Sequence, residues 1–366
     1  MKRRAFLLST ATAAGAAFAG APASVPAQTT APRKRALMKL GCQSGPTSDE
    51  RLQFFSRHSV THICGIPEET RGVGYPSIEQ LLELKERAAK WDVSIDMIRP
   101  SFLTSGHIDR VQRPAIMLGK DPERDRDIEC IQKLIVNLAK AEIPAFKYNM
   151  NIIGIPRTGR SPGRGGSSYS TWRLADSNRG DELTSAGVVD ADLYWERITY
   201  FLERVVPVAN EYRIRMACHP QDPGVPAGYQ GVDAVLGRVE GLKKFISIQD
   251  NPYHGLNFCQ GTVSEMLQDP GREIFDVIRY FGTRNKIFNV HFRNILGKRD
   301  DFMEVYPDEG DIDFFQAMLV YKEVGYPYMM MPDHVPSHPD DRGGSQAFAF
   351  AYGYIRALIQ AVDQLG

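Results

Sequence analysis

The sequence of 366 residues has no excess of charge of either sign, because 44 Lys and Arg residues balance 44 Asp and Glu residues. A protein whose main partner is nucleic acid or an acidic membrane surface usually carries a basic excess. Basic residues cluster at 33–35 and 157–173, but the repeated aromatic residues of a base-stacking surface are missing. The composition therefore indicates neither nucleic acid nor a lipid surface as a partner.

Cysteine is scarce and irregularly spaced. The chain has five cysteines and no CxxC pair; they are Cys42, Cys64, Cys130, Cys218 and Cys259. A domain of this size does not need a disulfide framework, and an odd number of widely spaced cysteines does not suggest one. Most of the thiols are therefore expected to be small, buried, apolar side chains.

Long apolar runs are missing outside the N-terminal segment, so no later stretch is predicted to span a bilayer. The N-terminus opens with Lys2, Arg3 and Arg4, continues with an Ala-rich run, and reaches small residues around Ala27. This pattern predicts a signal peptide over residues 1–27. The paired arginines followed by Ala-Phe-Leu resemble a twin-arginine signal, with an ordinary secretion signal or an uncleaved anchor as alternatives. We expect a periplasmic or secreted protein that is free of the membrane after cleavage.

Short apolar runs alternate with longer helical patterns over residues 28–366. Strands are predicted at residues 36–42, 60–66, 93–98, 144–149, 214–218, 245–248, 286–291 and 328–331. Helices are predicted at residues 49–56, 78–91, 125–141, 190–212, 232–242, 263–280, 312–324 and 345–362. Eight strand–helix units in sequence predict one α/β domain, a (β/α)8 TIM barrel.

Two further features bear on this architecture. A doubly wound open sheet is the alternative fold, but it normally carries a Gly-rich phosphate loop after the first strand, and residues 41–45 do not match one. Residues 155–190 are rich in Gly, Ser and Arg and are too long for a plain connection. Loops of this kind are usually lids or disordered segments.

Four candidate metal ligands lie at or near the carboxyl ends of the last four predicted strands: His219, Cys259, His291 and Asp333. A lone histidine is more often a hydrogen-bonded core residue than a ligand. In a closed barrel, however, these strands are neighbours and their ends face one axial point. We therefore predict a divalent metal site with open positions. The mixed thiolate, imidazole and carboxylate donors exclude a pure calcium site and leave Mn²⁺, Fe²⁺, Co²⁺ and Zn²⁺ open.

Residues beside these ligands are candidates for binding and proton transfer. Asp222 or Gln221 would accept the free N–H of a ligand histidine. Arg293 follows His291 by two residues on the same face, where its planar fork suits a substrate carboxylate; a salt bridge at the barrel rim is the alternative. His334 is the best general acid or base in the sequence, and a supporting hydrogen bonder is its alternative role.

Several motifs along the mature chain resemble the D-mannonate dehydratase family. They are LGKDPERDRDI (118–128), KYNM (147–150), RT (157–158), HPQDP (219–223), GLNFCQG (255–261), VHFRN (290–294), GDID (310–313) and PDH (332–334). The resemblance implies a metal-dependent, xylose-isomerase-like TIM barrel that converts D-mannonate into 2-keto-3-deoxy-D-gluconate and water, a lyase of hexuronate and carbohydrate breakdown. It also implies Mn²⁺ on the four predicted ligands.

The same resemblance implies roles for individual residues. It places His334 and Arg293 in catalysis, and Tyr148, Asn149, Arg157 and Arg293 beside a small-molecule sugar acid. The family's catalytic Tyr after the Asp-His pair has no counterpart at the expected place, and Tyr352 on the last helix is the nearest substitute. A barrel isomerase or epimerase, or an exported sugar-acid binding protein without catalysis, is therefore an alternative. Association into a homo-oligomer is compatible with the sequence.

Overall fold

A computed structural model describes residues 34–67, 72–178 and 182–365. Eight parallel strands in these ranges are β1 (Lys39–Cys42), β2 (His62–Gly65), β3 (Ser94–Ile98), β4 (Ala145–Asn149), β7 (Arg215–His219), β8 (His254–Cys259), β9 (Ile287–His291) and β12 (Met329–Met331). They close into a barrel in the order β1-β12-β9-β8-β7-β4-β3-β2. The predicted (β/α)8 barrel is confirmed.

Helices separate these strands and cover the outside of the barrel. They are α1 (Asp49–Arg57), α2 (Ile78–Ala89), α3 (Ala115–Leu118), α4 (Glu123–Lys140), α5 (Ala191–Tyr212), α6 (Val239–Ser247), α7 (Gln260–Ser264), α8 (Pro270–Gly282), α9 (Phe314–Glu323) and α10 (Ser345–Gln364). Local chemistry fixes some of their ends: Ser77 and Gln80 form a reciprocal capping box at the start of α2. The α4 face at Ile128, Ile131 and Leu134 is fully packed into the core.

The barrel interior is filled by a small cluster of side chains, so it is a packed core and not a pore. Its members are Cys64, Met97, Ala145, Ala217, Phe288, Met329 and Met331. Polar and charged side chains replace this apolar layer at the carboxyl ends of the strands. That end of the barrel is therefore where a ligand can meet protein chemistry.

A second, antiparallel sheet is formed by β5 (Gly159–Pro162), β6 (Ser168–Arg173), β10 (Ile295–Lys298) and β11 (Asp301–Glu304), in the order β10-β11-β6-β5. The prediction of a lid or disordered loop at 155–190 is therefore wrong for β5 and β6. Trp172 in β6 is almost fully buried and its strand pairs with β11. The partner strand comes from a loop far along the chain, so local composition gives no sign of it. Residues 179–181 of this stretch lie outside the described residues.

The sixth barrel strand lies later than predicted. Residues 245–248 end helix α6, which buries Leu242 and Phe245 against the barrel. The strand itself is β8, which contains a histidine, a glycine and an asparagine, and all of its residues are buried. These polar groups are paired internally, for example His254 Nε2 with the Phe245 carbonyl at 2.9 Å. A buried strand with paired polar residues has no continuous apolar run to reveal it.

The predicted signal peptide, residues 1–27, lies outside the described residues. From Arg35 to Gly366 the chain forms one compact unit. Within the described ranges, no helix combines the length and apolar character needed to cross a membrane.

Candidate metal centre

The structure brings together the four residues predicted to bind a metal. His219, Cys259 and His291 are the last residues of β7, β8 and β9, which are neighbours in the barrel, and Asp333 follows β12. One potential ligand atom from each lies within 4.8 Å of those of the other three. We call these four residues the metal cluster. It sits at the barrel end where TIM-barrel enzymes carry their active sites.

Asp333 joins the members of the metal cluster. Its Oδ1 lies 3.3 Å from His291 Nδ1, and its Oδ2 lies 3.7 Å from Cys259 Sγ. The two imidazole rings of His219 and His291 are 5.0 Å apart between centroids. The donors therefore surround a common point instead of forming separate pairs.

Hydrogen bonds on the far side of each imidazole test whether these residues fit a cation. His219 Nδ1 lies 2.7 Å from the Pro220 carbonyl oxygen, to which it donates, and this leaves Nε2 for a ligand. His291 Nε2 lies 2.9 Å from Gln43 Oε1, while its buried Nδ1 has no hydrogen-bond partner. Metal-binding histidines use one ring nitrogen in this way to orient the other. The site fits a metal, although a carbonyl takes the place predicted for Asp222 or Gln221.

The protonation of the metal cluster also suits a cation. Burial lowers the pKa of His219 to about 3 and that of His291 to about 4, so both rings are neutral at pH 7. Burial raises the pKa of the Cys259 thiol to about 12, against the neighbouring Arg293. Burial would raise the pKa of Asp333, but His291 and His334 hold it well below its usual range. A bound divalent cation has to displace only the thiol proton.

Two residues that the sequence did not single out support the metal cluster through hydrogen bonds. Gln43, just after β1, donates from Nε2 to Asp333 Oδ1 at 2.8 Å and accepts on Oε1 from His291. Lys147 in β4 donates from Nζ to the same Oε1 at 2.9 Å. One amide group therefore orients two of the four candidate ligands and is itself fixed by a buried ammonium group.

Five charged residues form a second buried group beside the metal cluster, and we call them the ion cluster. They are Arg157, Arg293, Asp222, Glu265 and Glu304. Arg293 Nη1 donates to Glu265 Oε1 at 2.7 Å, and its Nη2 donates to Asp222 Oδ2 at 2.9 Å. Arg157 donates to Asp222 Oδ1 at 2.5 Å and also to Glu304. Neither glutamate was identified from the sequence.

These contacts change the role expected for the two arginines. Each was predicted to lie near the sugar acid, and Arg293 to bind its carboxylate. The structure instead aims their guanidinium groups at protein carboxylates. Gly261 makes room for this arrangement, because a Cβ there would lie 2.7 Å from Arg293 Nε. That Nε is 3.7 Å from Asp333 Oδ2, so Arg293 connects the two clusters.

His334 lies between the two clusters, in agreement with its predicted place beside the metal ligands. Its Nδ1 lies 2.8 Å from Glu304 Oε2, and its Nε2 lies 3.7 Å from Asp333 Oδ2. The side chain is 37% exposed, more than any member of either cluster in these ion pairs. Burial would lower its pKa, but Asp333 and Glu304 outweigh this effect and raise the pKa to about 9. The ring is anchored at one nitrogen and faces the metal cluster with the other.

The predicted tyrosines do not reach this site. Tyr352 is fully buried on α10, where its hydroxyl lies 2.8 Å from Cys42 Sγ. Tyr148 packs between Phe146 and Phe201 on the outer face of β4. Neither position fits the expected contact with a substrate.

Asn149 does lie at the predicted end of the barrel. Asn149 pairs with His219 in the register of β4 and β7, and its backbone N–H is bonded to the Leu103 carbonyl. Side chains alternate along a strand, so Asn149 shares the inner face of β4 with Lys147, and Tyr148 takes the outer face. The sequence motif identified the correct strand, but Tyr148, one of the two residues expected at the substrate, lies on its outer face.

The sequence matches a known protein family. Residues 178–365 match the model of a family described as D-mannonate dehydratase (UxuA). A mannonate dehydratase from Thermotoga maritima is 29% identical over 326 residues, which cover 78% of this chain and 86% of that protein. One from Enterococcus faecalis is 34% identical over 183 residues, which cover 48% of this chain and 49% of that protein.

Solved structures show the same barrel. A mannonate dehydratase from Streptococcus suis has a TM-score of 0.73 and 21% identity, and the match covers 88% of this chain and 94% of that one. A D-psicose 3-epimerase from Clostridium cellulolyticum has a TM-score of 0.57 and 11% identity, covering 88% and 99%. At these identities the likeness shows the fold alone.

Proposed function

The chain belongs to the D-mannonate dehydratase (UxuA) family, and we propose that it removes water from D-mannonate to give 2-keto-3-deoxy-D-gluconate. The observation that carries the proposal is the convergence of His219, Cys259, His291 and Asp333 within 4.8 Å, with His334 beside them. A sugar acid bound at this barrel end would lie between a cation and a proton-transfer group.

The chemistry of dehydration needs two proton transfers. The proton on C2 is weakly acidic because it lies next to the carboxylate, and a base must take it while an acid helps the C3 hydroxyl to leave. We assign proton transfer to His334, whose Nδ1 is held by Glu304 at 2.8 Å. Its Nε2 then remains available to the substrate, and the fixed ring keeps that nitrogen on the metal side.

The cofactor in this proposal is a divalent cation on the metal cluster, with Mn²⁺ ahead of Fe²⁺, Co²⁺ and Zn²⁺. The mixed donor set is compatible with all four ions, since a carboxylate suits Mn²⁺, imidazole suits Fe²⁺ and Zn²⁺, and a thiolate favours the softer ions. The order of preference follows the family resemblance. When bound, such a cation supplies Lewis acidity that stabilises negative charge on the substrate carboxylate. The residues of the chain would bind the cation, and His334 would transfer protons.

A second candidate function is epimerisation or isomerisation of a related sugar. In the described part of the chain, no tyrosine hydroxyl is hydrogen-bonded to the metal cluster or to His334, and Tyr352 is bonded to Cys42. Removing and returning a proton at carbon does not require an acid for a leaving hydroxyl group, as elimination does. The position of Tyr352 is therefore compatible with the second function, and a direct assay of dehydration decides between the two.

The direct assay incubates metal-reconstituted protein with D-mannonate and measures 2-keto-3-deoxy-D-gluconate. We expect product from the wild-type protein and formation slower by about 10²- to 10⁴-fold in His334→Ala. Exchange of the C2 proton or a rearranged sugar without dehydration supports the second function. Binding without either reaction identifies a sugar-acid binding protein and contradicts both.

We further propose that the protein is exported to the periplasm or the medium through a twin-arginine signal at residues 1–27. This pathway carries folded proteins, which suits a cation inserted before export. Fractionation of cells that express Arg3→Lys together with Arg4→Lys tests it. Retention of the double variant in the cytoplasm supports the proposal, and normal export contradicts it.

A further inference from the structure

Lys147 is a buried cation at the metal centre without a counter-charge of its own. Lys147 is only 8% exposed, and its Nζ donates to Gln43 Oε1 at 2.9 Å. Among the residues that the structure describes, no carboxylate lies within ion-pairing distance of this Nζ. Small neighbours on the inner face of the barrel, Ala145 and Ala217, leave room for its long side chain.

The other charged groups around the site are matched separately from Lys147. In the ion cluster and His334, three cationic side chains lie at hydrogen-bonding distances from Asp222, Glu265 and Glu304. In the metal cluster, a divalent cation would be balanced by one carboxylate and one thiolate. Neither set has a negative charge left over for Lys147.

A buried ammonium group without a partner is unfavourable, because desolvation is not offset by an opposite charge. Burial lowers the pKa of Lys147, and the nearby Asp333 opposes this in part. A monoanion bound at the metal centre would supply the missing charge. Lys147 Nζ and His291 Nε2 share one acceptor, Gln43 Oε1, so the ammonium group lies close to where such an anion would sit.

We propose that Lys147 binds the carboxylate of the sugar-acid substrate and selects acids over neutral sugars. The inference rests on the proposed function and deepens it. The two arginines expected at this task are bound to protein carboxylates, whereas the single hydrogen bond of Lys147 to Gln43 leaves two ammonium hydrogens for a ligand. Gln43 holds the ammonium group beside Asp333 and His291, which fixes it next to the cation.

The experiment uses metal-reconstituted protein that carries His334→Ala, so that D-mannonate binds without turnover. This protein is titrated with D-mannonate and with its neutral amide, D-mannonamide, while heat and metal content are recorded. A charge-assisted hydrogen bond corresponds to about a 10- to 150-fold preference of this protein for the acid. Adding Lys147→Met should weaken binding of the acid by this factor and leave the amide unchanged. Adding Lys147→Arg should keep most of the preference.

Arg99 provides the matched control. It is an exposed cation at the end of β3 on the same side of the barrel, and solvent screens charges at such positions. Arg99→Gln should change the affinity for D-mannonate by less than about threefold. A loss in Arg99→Gln as large as in Lys147→Met would overturn the inference, because the effect would then be one of general charge.

Two further outcomes overturn the inference. One is equal affinity of the His334→Ala protein for acid and amide, even if the variant with Lys147→Met fails to retain its metal. The other is unchanged binding of D-mannonate by metal-loaded protein that also carries Lys147→Met. Because binding is measured without turnover, a protein that binds an aldonate through Lys147, but whose wild-type form never dehydrates it, contradicts only the proposed function.

Discussion

The metal cluster and the ion cluster lie side by side at the same end of the barrel, and both bring together side chains that bind cations. One ligand atom each from Asp222, Glu265 and Glu304 lies within 4.8 Å of the others, just as in the metal cluster. The ion cluster contains its own cations, the guanidinium groups of Arg157 and Arg293. The metal cluster contains none, and His291 Nδ1 is left without a hydrogen bond.

The difference shows how one barrel end can hold both a permanent and an exchangeable positive charge. A planar guanidinium group satisfies several carboxylates at fixed geometry and never loses its proton. A cluster with thiolate and imidazole donors instead requires an ion from solution and keeps positions open for a substrate. We therefore expect the ion cluster to act as a rigid support and the metal cluster to bind the ion that takes part in the reaction.

His334 connects the two clusters, and its removal should have the largest effect. Loss of a general acid or base costs about 10²- to 10⁴-fold in rate. We expect His334→Ala to lose kcat by this factor while metal content stays at the wild-type level, because the ring is not one of the four candidate ligands. Steady-state kinetics combined with metal analysis checks this. The control is His338→Ala, which removes a histidine whose Nδ1 pairs with the exposed Asp340. Unchanged kcat would remove His334 from the mechanism.

Glu304→Gln should break the ion cluster. The substitution leaves Arg157, Arg293 and His334 short of one buried negative charge, which costs about 3–5 kcal/mol of unfolding free energy. Glu323→Gln, in the exposed pair with Arg279, should cost less than about 1 kcal/mol. Denaturant titration compares them. Equal losses would mean that the ion cluster adds no more stability than a surface pair.

Glu265→Gln should stabilise the ion cluster at neutral pH. Burial, with the neighbouring Asp222, raises the pKa of Glu265 from 4.5 to about 8. Below pH 4.5 this carboxyl is protonated in both the folded and unfolded protein, and above that pH the unfolded chain gains by ionising. Between about pH 4.5 and pH 8, the unfolding free energy of the wild-type protein should fall by about 1.4 kcal/mol per pH unit relative to that of the variant. A difference in unfolding free energy that does not change with pH would contradict the raised pKa.

Gln43→Ala should weaken the metal cluster without removing a ligand. It removes the acceptor for His291 Nε2 and the donor to Asp333, and such outer partners account for about 10- to 100-fold in metal affinity. Competition with a chelator measures this, with Gln346→Ala on the exposed start of α10 as the control. Equal affinities of the two variants would show that the ligands need no support from Gln43.

The sequence predicted the metal cluster because its residues lie at or near the ends of consecutive barrel strands, although the strand that carries Cys259 was predicted too early in the chain. The ion cluster could not be predicted in this way. Glu304 belongs to β11, whose place depends on pairing with β6 more than a hundred residues earlier in the chain. Glu265 follows the short helix α7, which was predicted as part of a longer helix.

The expectation that Tyr148 lies beside the sugar acid failed for a different reason. Every residue of β4 is buried, so polar and apolar positions do not reveal which face lines the barrel. Only the register with β7 settles that Lys147 and Asn149 face inward. The resemblance to a family identified the right strand, and the packing of α5 against Tyr148 identified the right face.

We propose that Cys259 joins two histidines and an aspartate around one divalent cation. Titration of the metal-free protein with Co²⁺ tests this coordination directly, because a thiolate ligand produces a sulfur-to-cobalt charge-transfer absorption. We expect this absorption at one equivalent in the wild-type protein and its loss, with most of the affinity, in Cys259→Ala. Tight cobalt binding without the absorption, or full metal retention by Cys259→Ala, would contradict it.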